Sequence, residues 1–178
     1  MCRRSNFGAP SRRGVLRGLT AGAAFACTGL PARAGAPTVQ TPAPGPKDVC
    51  PVCGMFVQPY PMWTATVLFA DGHADHFDGA KDFFKYWLDM PKYARGRTRD
   101  QVKAIGVTDY YATDRIDARA ALYVVGSDVL GPMGHELVPQ ADAADAAEFT
   151  KDHKGRRILR FDEVTAALLK GLDEGRFE

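Results

Sequence analysis

A run of sulfur-bearing residues, CPVCGM at positions 50–55, constrains the fold of this chain more than any other stretch. Two thiols, those of Cys50 and Cys53, and the thioether of Met55 lie within six residues. A proline between the thiols stiffens the loop, and Gly54 permits a positive φ just after the second thiol, so both sulfur atoms can point inward. Soft ligands gathered in this way favour a soft metal ion.

The N-terminal segment differs in kind from the rest and predicts export. Residues Ser11 to Arg17 read SRRGVLR and precede an apolar run, rich in Ala and Gly, that extends to Leu30. This pattern is similar to a twin-arginine signal peptide. Small residues favour cleavage after Ala34, so residues 1–34 are predicted to be the signal and the mature protein is expected in the periplasm. Lipidation of Cys27 is the alternative, and it would anchor the protein to a membrane.

Removal of the signal changes both the charge and the number of cysteines. Residues 1–34 contain six arginines and no acid, so 17 basic and 21 acidic residues remain, with a formal charge of −4. This negative balance argues against a nucleic-acid partner. Cys50 and Cys53 are then the two cysteines left, and they cannot build a four-thiolate zinc site without ligands from elsewhere. A disulfide between them is the alternative in an oxidising compartment.

Hydrophobic patterning after the signal predicts a linker and then an α+β unit. The prolines of residues 35–47 predict an extended, solvated linker. Residues 48–118 hold the CPVCGM loop and begin the folded part. Their predicted elements are strands over 63–70 and 73–77 joined by a turn at Asp71 and Gly72, a helix capped by Asp78 and stopped by Pro91, a strand over 105–113 and a turn at 114–115.

Residues 119–178 repeat this order and add a helix at the end. Their predicted elements are a strand over 120–125, an extended stretch over 131–138, a helix over 141–153, a strand over 156–161 and a last helix capped by Asp162. We therefore predict an α+β fold of tandem, duplicated ββαβ units, with antiparallel sheets and packed helices.

A second group of potential ligands lies at GPMGHE, residues 131–136. In an extended segment, Met133 and His135 point to one side, so one ion could contact both, and Glu136 adds a carboxylate beside them. A thioether binds hard cations poorly, so Met with His favours Cu(I). The two thiolates of the first loop accept Zn(II) as well, but Zn(II) needs four ligands whereas Cu(I) is satisfied by two or three.

Soft ligands on two separated loops, without an evident catalytic dyad, favour a metal carrier over an enzyme. A zinc- or disulfide-stabilised binding module of the YHS type is a second hypothesis. A thiol oxidoreductase is a third, because CPVC has the CxxC spacing. Such enzymes place the first cysteine at a helix N-terminus, and Gly54, Pro59 and Pro61 prevent a helix there.

Three stretches together resemble the NosL family of nitrous-oxide reductase accessory proteins. They are CPVCGM, the run DGHADHFDGAKDFFKYW from position 71, and GPMGHELVP from position 131, within a resemblance that covers most of residues 48–165. It implies a tandem ββαβ fold and an exported Cu(I) chaperone that supplies the copper–sulfide centre of nitrous-oxide reductase. The implied partners are the reductase apoprotein and an upstream copper donor. The resemblance matches Met133 to the methionine of the family's PMG element, and Cys50 and Cys53 to its N-terminal cysteine region.

Overall fold

The structure, a computed structural model, describes residues 35–177. This part of the chain contains two main antiparallel sheets with helices packed on them, and a small two-stranded hairpin. In chain order the elements are β1 (Ala65–Phe69), β2 (Ala74–Phe77), α1 (Ala80–Leu88), α2 (Met90–Tyr93), β3 (Val102–Thr108), β4 (Arg115–Asp117), β5 (Leu122–Val125), β6 (Leu130–Gly131), β7 (Gly134–His135), β8 (Val138–Gln140), α3 (Ala143–Asp152), β9 (Arg157–Arg160) and α4 (Ala166–Asp173), with 3₁₀ turns at Arg99–Gln101 and Phe161–Glu163.

The two sheets share one strand order. In the first sheet the order is β2-β1-β3-β4, and in the second it is β8-β5-β9, with antiparallel neighbours throughout. The first strand of each unit thus lies between its second and third strands, and a helix precedes the third strand in both. The predicted α+β fold class is confirmed, and this strand order is compatible with a duplicated ββαβ unit. The hairpin of β6 and β7 is inserted between β5 and β8.

Helix α1 joins the two sheets through one aromatic core. Phe83 and Phe84 are fully buried, as their helical spacing on the apolar face requires. The ring of Phe84 lies 4.9 Å from that of Tyr123 on β5 and 5.1 Å from that of Phe161, centroid to centroid. Phe161 also packs against Trp87. The interior is therefore continuous from one sheet to the other.

The turn predicted at residues 114–115 lies earlier, at residues 110–112, and Arg115 is the first residue of strand β4. The strand predicted over residues 105–113 ends at Thr108, because the carboxylate of Asp109 accepts a hydrogen bond of 2.7 Å from Ala112 N and closes a turn. The chain then returns as β4, where Ile116 is 2% exposed and pairs with Val107.

Three predicted helix boundaries were also wrong. The N-cap of α1 is Gly79 instead of Asp78, whose side chain is used elsewhere. The N-cap of α4 is Thr165 instead of Asp162, and its hydroxyl accepts a hydrogen bond of 3.2 Å from Leu168 N. Pro91 does not itself stop α1: it lies in the first turn of the short helix α2, where its missing N–H costs nothing.

The Pro-rich segment, residues 35–47, is extended, but backbone hydrogen bonds hold it against both sheets. Its backbone bonds reach β4 of the first sheet and the end of β8 in the second. They are Ala36 N to Ala141 O (2.6 Å), Val39 N to Arg115 O (2.8 Å) and Asp117 N to Pro37 O (2.8 Å). The predicted signal, residues 1–34, lies outside the described residues. Within those described, none of the helices has the length and apolar character needed to span a bilayer.

Candidate metal centre

The CPVCGM run folds into a tight loop closed by a short antiparallel bridge. Val49 and Phe56 pair across its base, and Cys50 N donates to Met55 O at 2.8 Å. This closure turns the side chains of the loop toward the body of the protein. Cys50 is 1% exposed, Cys53 is partly exposed, and both are free thiols.

Two aspartates, one just before α1 and one in its first turn, lie beside these thiols. Asp78 follows β2 directly, and Asp82 lies in the first turn of the helix. The Cys53 Sγ lies 3.2 Å from Asp78 Oδ1, and the Cys50 Sγ lies 3.6 Å from Asp82 Oδ2. One ligand atom from each of the four residues lies within 4.8 Å of all the others. Both carboxylates are almost completely buried.

This arrangement fits a metal ion. Bonds of about 2.3 Å place the ligand atoms of a tetrahedral ion about 3.8 Å apart, so shifts of about 1 Å would bring the four atoms onto one ion. The Oδ2 atom of Asp78 is buried and has no hydrogen-bond partner among the described residues. A buried carboxylate oxygen in that state requires an explanation, and a bound cation supplies one. We call Cys50, Cys53, Asp78 and Asp82 the thiol–carboxylate cluster.

The thiols of the cluster are protonated at neutral pH when no metal is bound. Burial is the largest cause that raises the pKa of Cys50, and the Asp82 and Asp78 carboxylates add to it, whereas backbone N–H groups oppose it. Burial likewise raises the pKa of Cys53 to about 12. A metal ion that binds thiolates must therefore displace these protons.

The GPMGHE segment forms the hairpin of β6 and β7 instead of the predicted extended stretch. Pro132 and Met133 lie in its turn, and Gly134 has a φ of +80°, which favours glycine. Met133 is therefore at the tip and 42% exposed. His135 follows in β7, and its ring packs against that of Phe177 at 4.8 Å between centroids. The turn thus removes the basis for expecting Met133 and His135 on one side.

Glu136 is buried and bonded to backbone groups. Its Oε2 accepts hydrogen bonds from Lys81 N at 2.8 Å and from Leu137 N at 3.1 Å, so it caps the start of α1 in place of the missing Asp78 cap. Gly79 leaves room for this contact, because a Cβ there would come within 2.4 Å of Glu136 Oε1. Burial raises the pKa of Glu136 to about 8, while the Lys81 amide and ammonium oppose that rise.

The structure thus brings together Cys50 and Cys53 with two residues that the sequence analysis missed. Across residues 35–177, no other set of three or more His, Cys, Asp and Glu side chains lies close enough to hold an ion. The sequence predicts Asp78 as a helix cap, because it precedes a helix, and assigns no role to Asp82. In the structure Asp78 lies before the N-cap of α1, so no helical spacing signals its contact with the thiols.

Comparison with known proteins identifies a matching family and a solved structure with a similar fold. The family model NosL matches residues 42–169. The copper-binding lipoprotein NosL of Stutzerimonas stutzeri is 32% identical over 127 residues, which are 70% of this chain and 65% of that protein, just under two thirds of its length. The crystal structure of the copper chaperone NosL from Shewanella denitrificans superposes with a TM-score of 0.60 at 29% identity, covering 74% of this chain and 99% of that one.

Proposed function

Because the chain belongs to the NosL family, we propose that it is a periplasmic Cu(I) chaperone that delivers copper to nitrous-oxide reductase for assembly of the copper–sulfide centre. The relatives named above as copper-binding lipoprotein and copper chaperone support copper as the cargo. The observation that carries the proposal is the pair of thiols gathered against α1, because thiolates are preferred ligands of Cu(I). The protein acts as a carrier and not as an enzyme.

The proposed copper ligands are Cys50, Cys53 and Met133. The thiolates hold the ion in the interior, and the exposed thioether at the hairpin tip faces an incoming partner. A coordination number of two or three leaves the ion open to ligands of the acceptor. Met55, His135 and Glu136 stay predictions as further ligands, and Glu136 also accepts a hydrogen bond from the start of α1.

The proposal includes export to the periplasm, with membrane anchoring as the alternative form. The twin-arginine pattern of residues 11–17 directs the protein to the periplasm, and cleavage follows Ala34. In the alternative form, a lipid on Cys27 anchors the protein to the membrane, and the name of the Stutzerimonas relative as a lipoprotein favours this form. The partners are the reductase apoprotein and an upstream copper donor.

Anaerobic titration of the reduced protein with Cu(I), against a chromophoric competitor, tests the ligand assignment. We expect the change of Cys50→Ser with Cys53→Ser, and separately Met133→Ala, to weaken Cu(I) binding. Met62→Ala is the matched control, because Met62 is a second exposed methionine, 49% exposed, that is not among the proposed ligands. Unchanged Cu(I) affinity in both the cysteine and the Met133 variants would contradict the assignment. Loss of copper transfer to the apo-reductase in the same variants tests delivery.

A zinc-stabilised binding module is the second candidate, and the carboxylates of Asp78 and Asp82 favour it, since two thiolates with two carboxylates supply four ligands for Zn(II). Asp78→Asn with Asp82→Asn should weaken Zn(II) binding strongly and Cu(I) binding little. Tight Zn(II) binding together with weak Cu(I) binding in the unaltered protein would favour the module.

A thiol oxidoreductase receives no support from the cluster. Redox cysteines of that class have a lowered pKa at a helix N-terminus. Here burial raises the pKa of both thiols, and the described backbone over residues 50–61 contains no helix.

A further inference from the structure

Lys81 is a buried lysine in the first turn of α1. It is 1% exposed. Its Nζ donates to Met133 O at 2.8 Å and lies 3.1 Å from the Asp173 carboxylate on α4. Its backbone N–H donates to Glu136. Lys81 therefore bonds to two residues of the GPMGHE segment, through the carbonyl of Met133 and the carboxylate of Glu136.

The same turn of α1 supplies one of the two carboxylates of the thiol–carboxylate cluster. Asp82 follows Lys81 directly and lies 3.6 Å from the Cys50 sulfur. Lys85, one turn further on, lies 3.3 Å from Asp82 and 2.9 Å from Asp173. A chain of charged contacts thus connects the cluster, α4 and the hairpin tip.

Burial of an ammonium group is costly unless the group is paired and hydrogen-bonded. Lys81 meets both conditions through one carboxylate and one carbonyl. An apolar side chain would fill the same space without that cost, but it could not donate to the carbonyl of Met133. The hydrogen bond to the hairpin tip is therefore the specific contribution of the lysine.

We propose that Lys81 is a positioning residue for the copper site, which fixes the Met133 hairpin to α1 so that the Met133 thioether and the two cysteine thiolates act on one ion. The proposal rests on the proposed function, because it gives Lys81 a role through Met133. It concerns the placement of a ligand, since the ammonium does not itself contact the metal.

A double-mutant cycle tests this role. Lys81→Leu deletes the donor and keeps an apolar side chain in its place without adding a thioether, and supporting groups of this kind typically change metal affinity about 10- to 100-fold. We expect Lys81→Leu to weaken Cu(I) binding within that range. In a Met133→Ala background the same change should have an effect below about twofold, because the two residues act as one unit. Lys170→Leu, on the exposed side of α4, is the control and should leave affinity unchanged.

NMR of protein labelled with ¹³C at the methionine methyl groups gives a readout that loss of stability alone would not move. The Met133 methyl resonance should shift when Cu(I) is added to the unaltered protein and stay in place in Lys81→Leu. An unaltered shift in Lys81→Leu, or equal weakening by Lys81→Leu in both backgrounds, would overturn the role of Lys81 alone. If Met133→Ala itself leaves Cu(I) affinity unchanged, both Met133 as a ligand and the role of Lys81 fail. If the cysteine change also has no effect, the proposed function fails with them.

Discussion

At the scale of single residues, the carboxyl group of Glu136 links protonation to folding. It is 3% exposed, and burial raises its pKa to about 8 from an ordinary value of 4.5. Between these two values the folded protein holds a proton on Glu136 that the unfolded chain has released. The free energy of unfolding therefore falls as pH rises through this window.

We predict that Glu136→Gln removes this part of the pH dependence, because glutamine keeps a carbonyl acceptor for Lys81 N and Leu137 N but does not titrate. One such group contributes a slope of up to about 1.4 kcal/mol per pH unit. Urea unfolding at pH 5, 6, 7 and 8 measures it. Parallel pH profiles for the two proteins would contradict the assigned pKa.

Residue types alone were enough to predict the two thiols as metal ligands, but not the two carboxylates that lie beside them. Cys50 and Cys53 are two thiols in a run of six residues, and their chemistry is distinctive at any position. Asp78 follows a strand and precedes a helix, where an aspartate is ordinarily a cap. Its burial beside Cys53 depends on how the CPVCGM loop packs against α1, and no local pattern encodes that contact.

At the scale of elements, helix α3 shows a cap of the ordinary kind. The side chain of Asp142 accepts hydrogen bonds from Ala144 N at 2.8 Å and from Asp145 N at 3.0 Å. Helix α3 packs on the second sheet and supplies none of the cluster residues. Its stability can therefore change without altering the metal centre.

We predict that Asp142→Ala lowers the free energy of unfolding by about 1 kcal/mol, because it leaves two N–H groups at the start of the helix without their acceptor. Asp142→Asn keeps an acceptor and should lose less. Chemical denaturation followed by circular dichroism measures the difference, and Cu(I) affinity should match that of the unaltered protein in both variants. A Cu(I) affinity that falls with the cap would show that α3 is coupled to the cluster.

Strong local patterns predicted elements well, and weak ones did not. The β1–β2 hairpin has apolar and β-branched residues before Asp71 and Gly72 and an alternating strand after them, and Gly72 adopts a φ of +89° in the turn. Strand β4 has three residues, two of them charged, and gains its place by pairing with β3 and with Thr38. Such pairing depends on distant partners, so alternation alone could not reveal it.

At the scale of the whole molecule, the core that α1 shares between the sheets joins the two units into one folding unit. Phe84 is 0% exposed and packs against aromatic rings that belong to the second unit. Neither sheet can therefore lose its packing on this side without exposing apolar surface of the other.

We predict that Phe84→Ala destabilises the protein by about 3–5 kcal/mol and that both sheets still unfold in one transition. Amide hydrogen exchange of β1 and β5 measures each sheet separately. Leu88→Ala, at the 38% exposed end of the same helix, is the control and should cost much less. Exchange of β5 that accelerates while β1 stays protected would show that the units unfold independently.

Backbone hydrogen bonds hold residues 36–39 against β4 and Ala141. They limit how far the folded part could lie from a membrane if Cys27 carried a lipid. Nine peptide steps separate Cys27 from Ala36, so the contour length between a lipid and the fixed point is at most about 32 Å. A lipidated protein would remain within roughly one molecular diameter of the bilayer. Its encounters with any partner held at the same membrane would then be a two-dimensional search at high effective concentration.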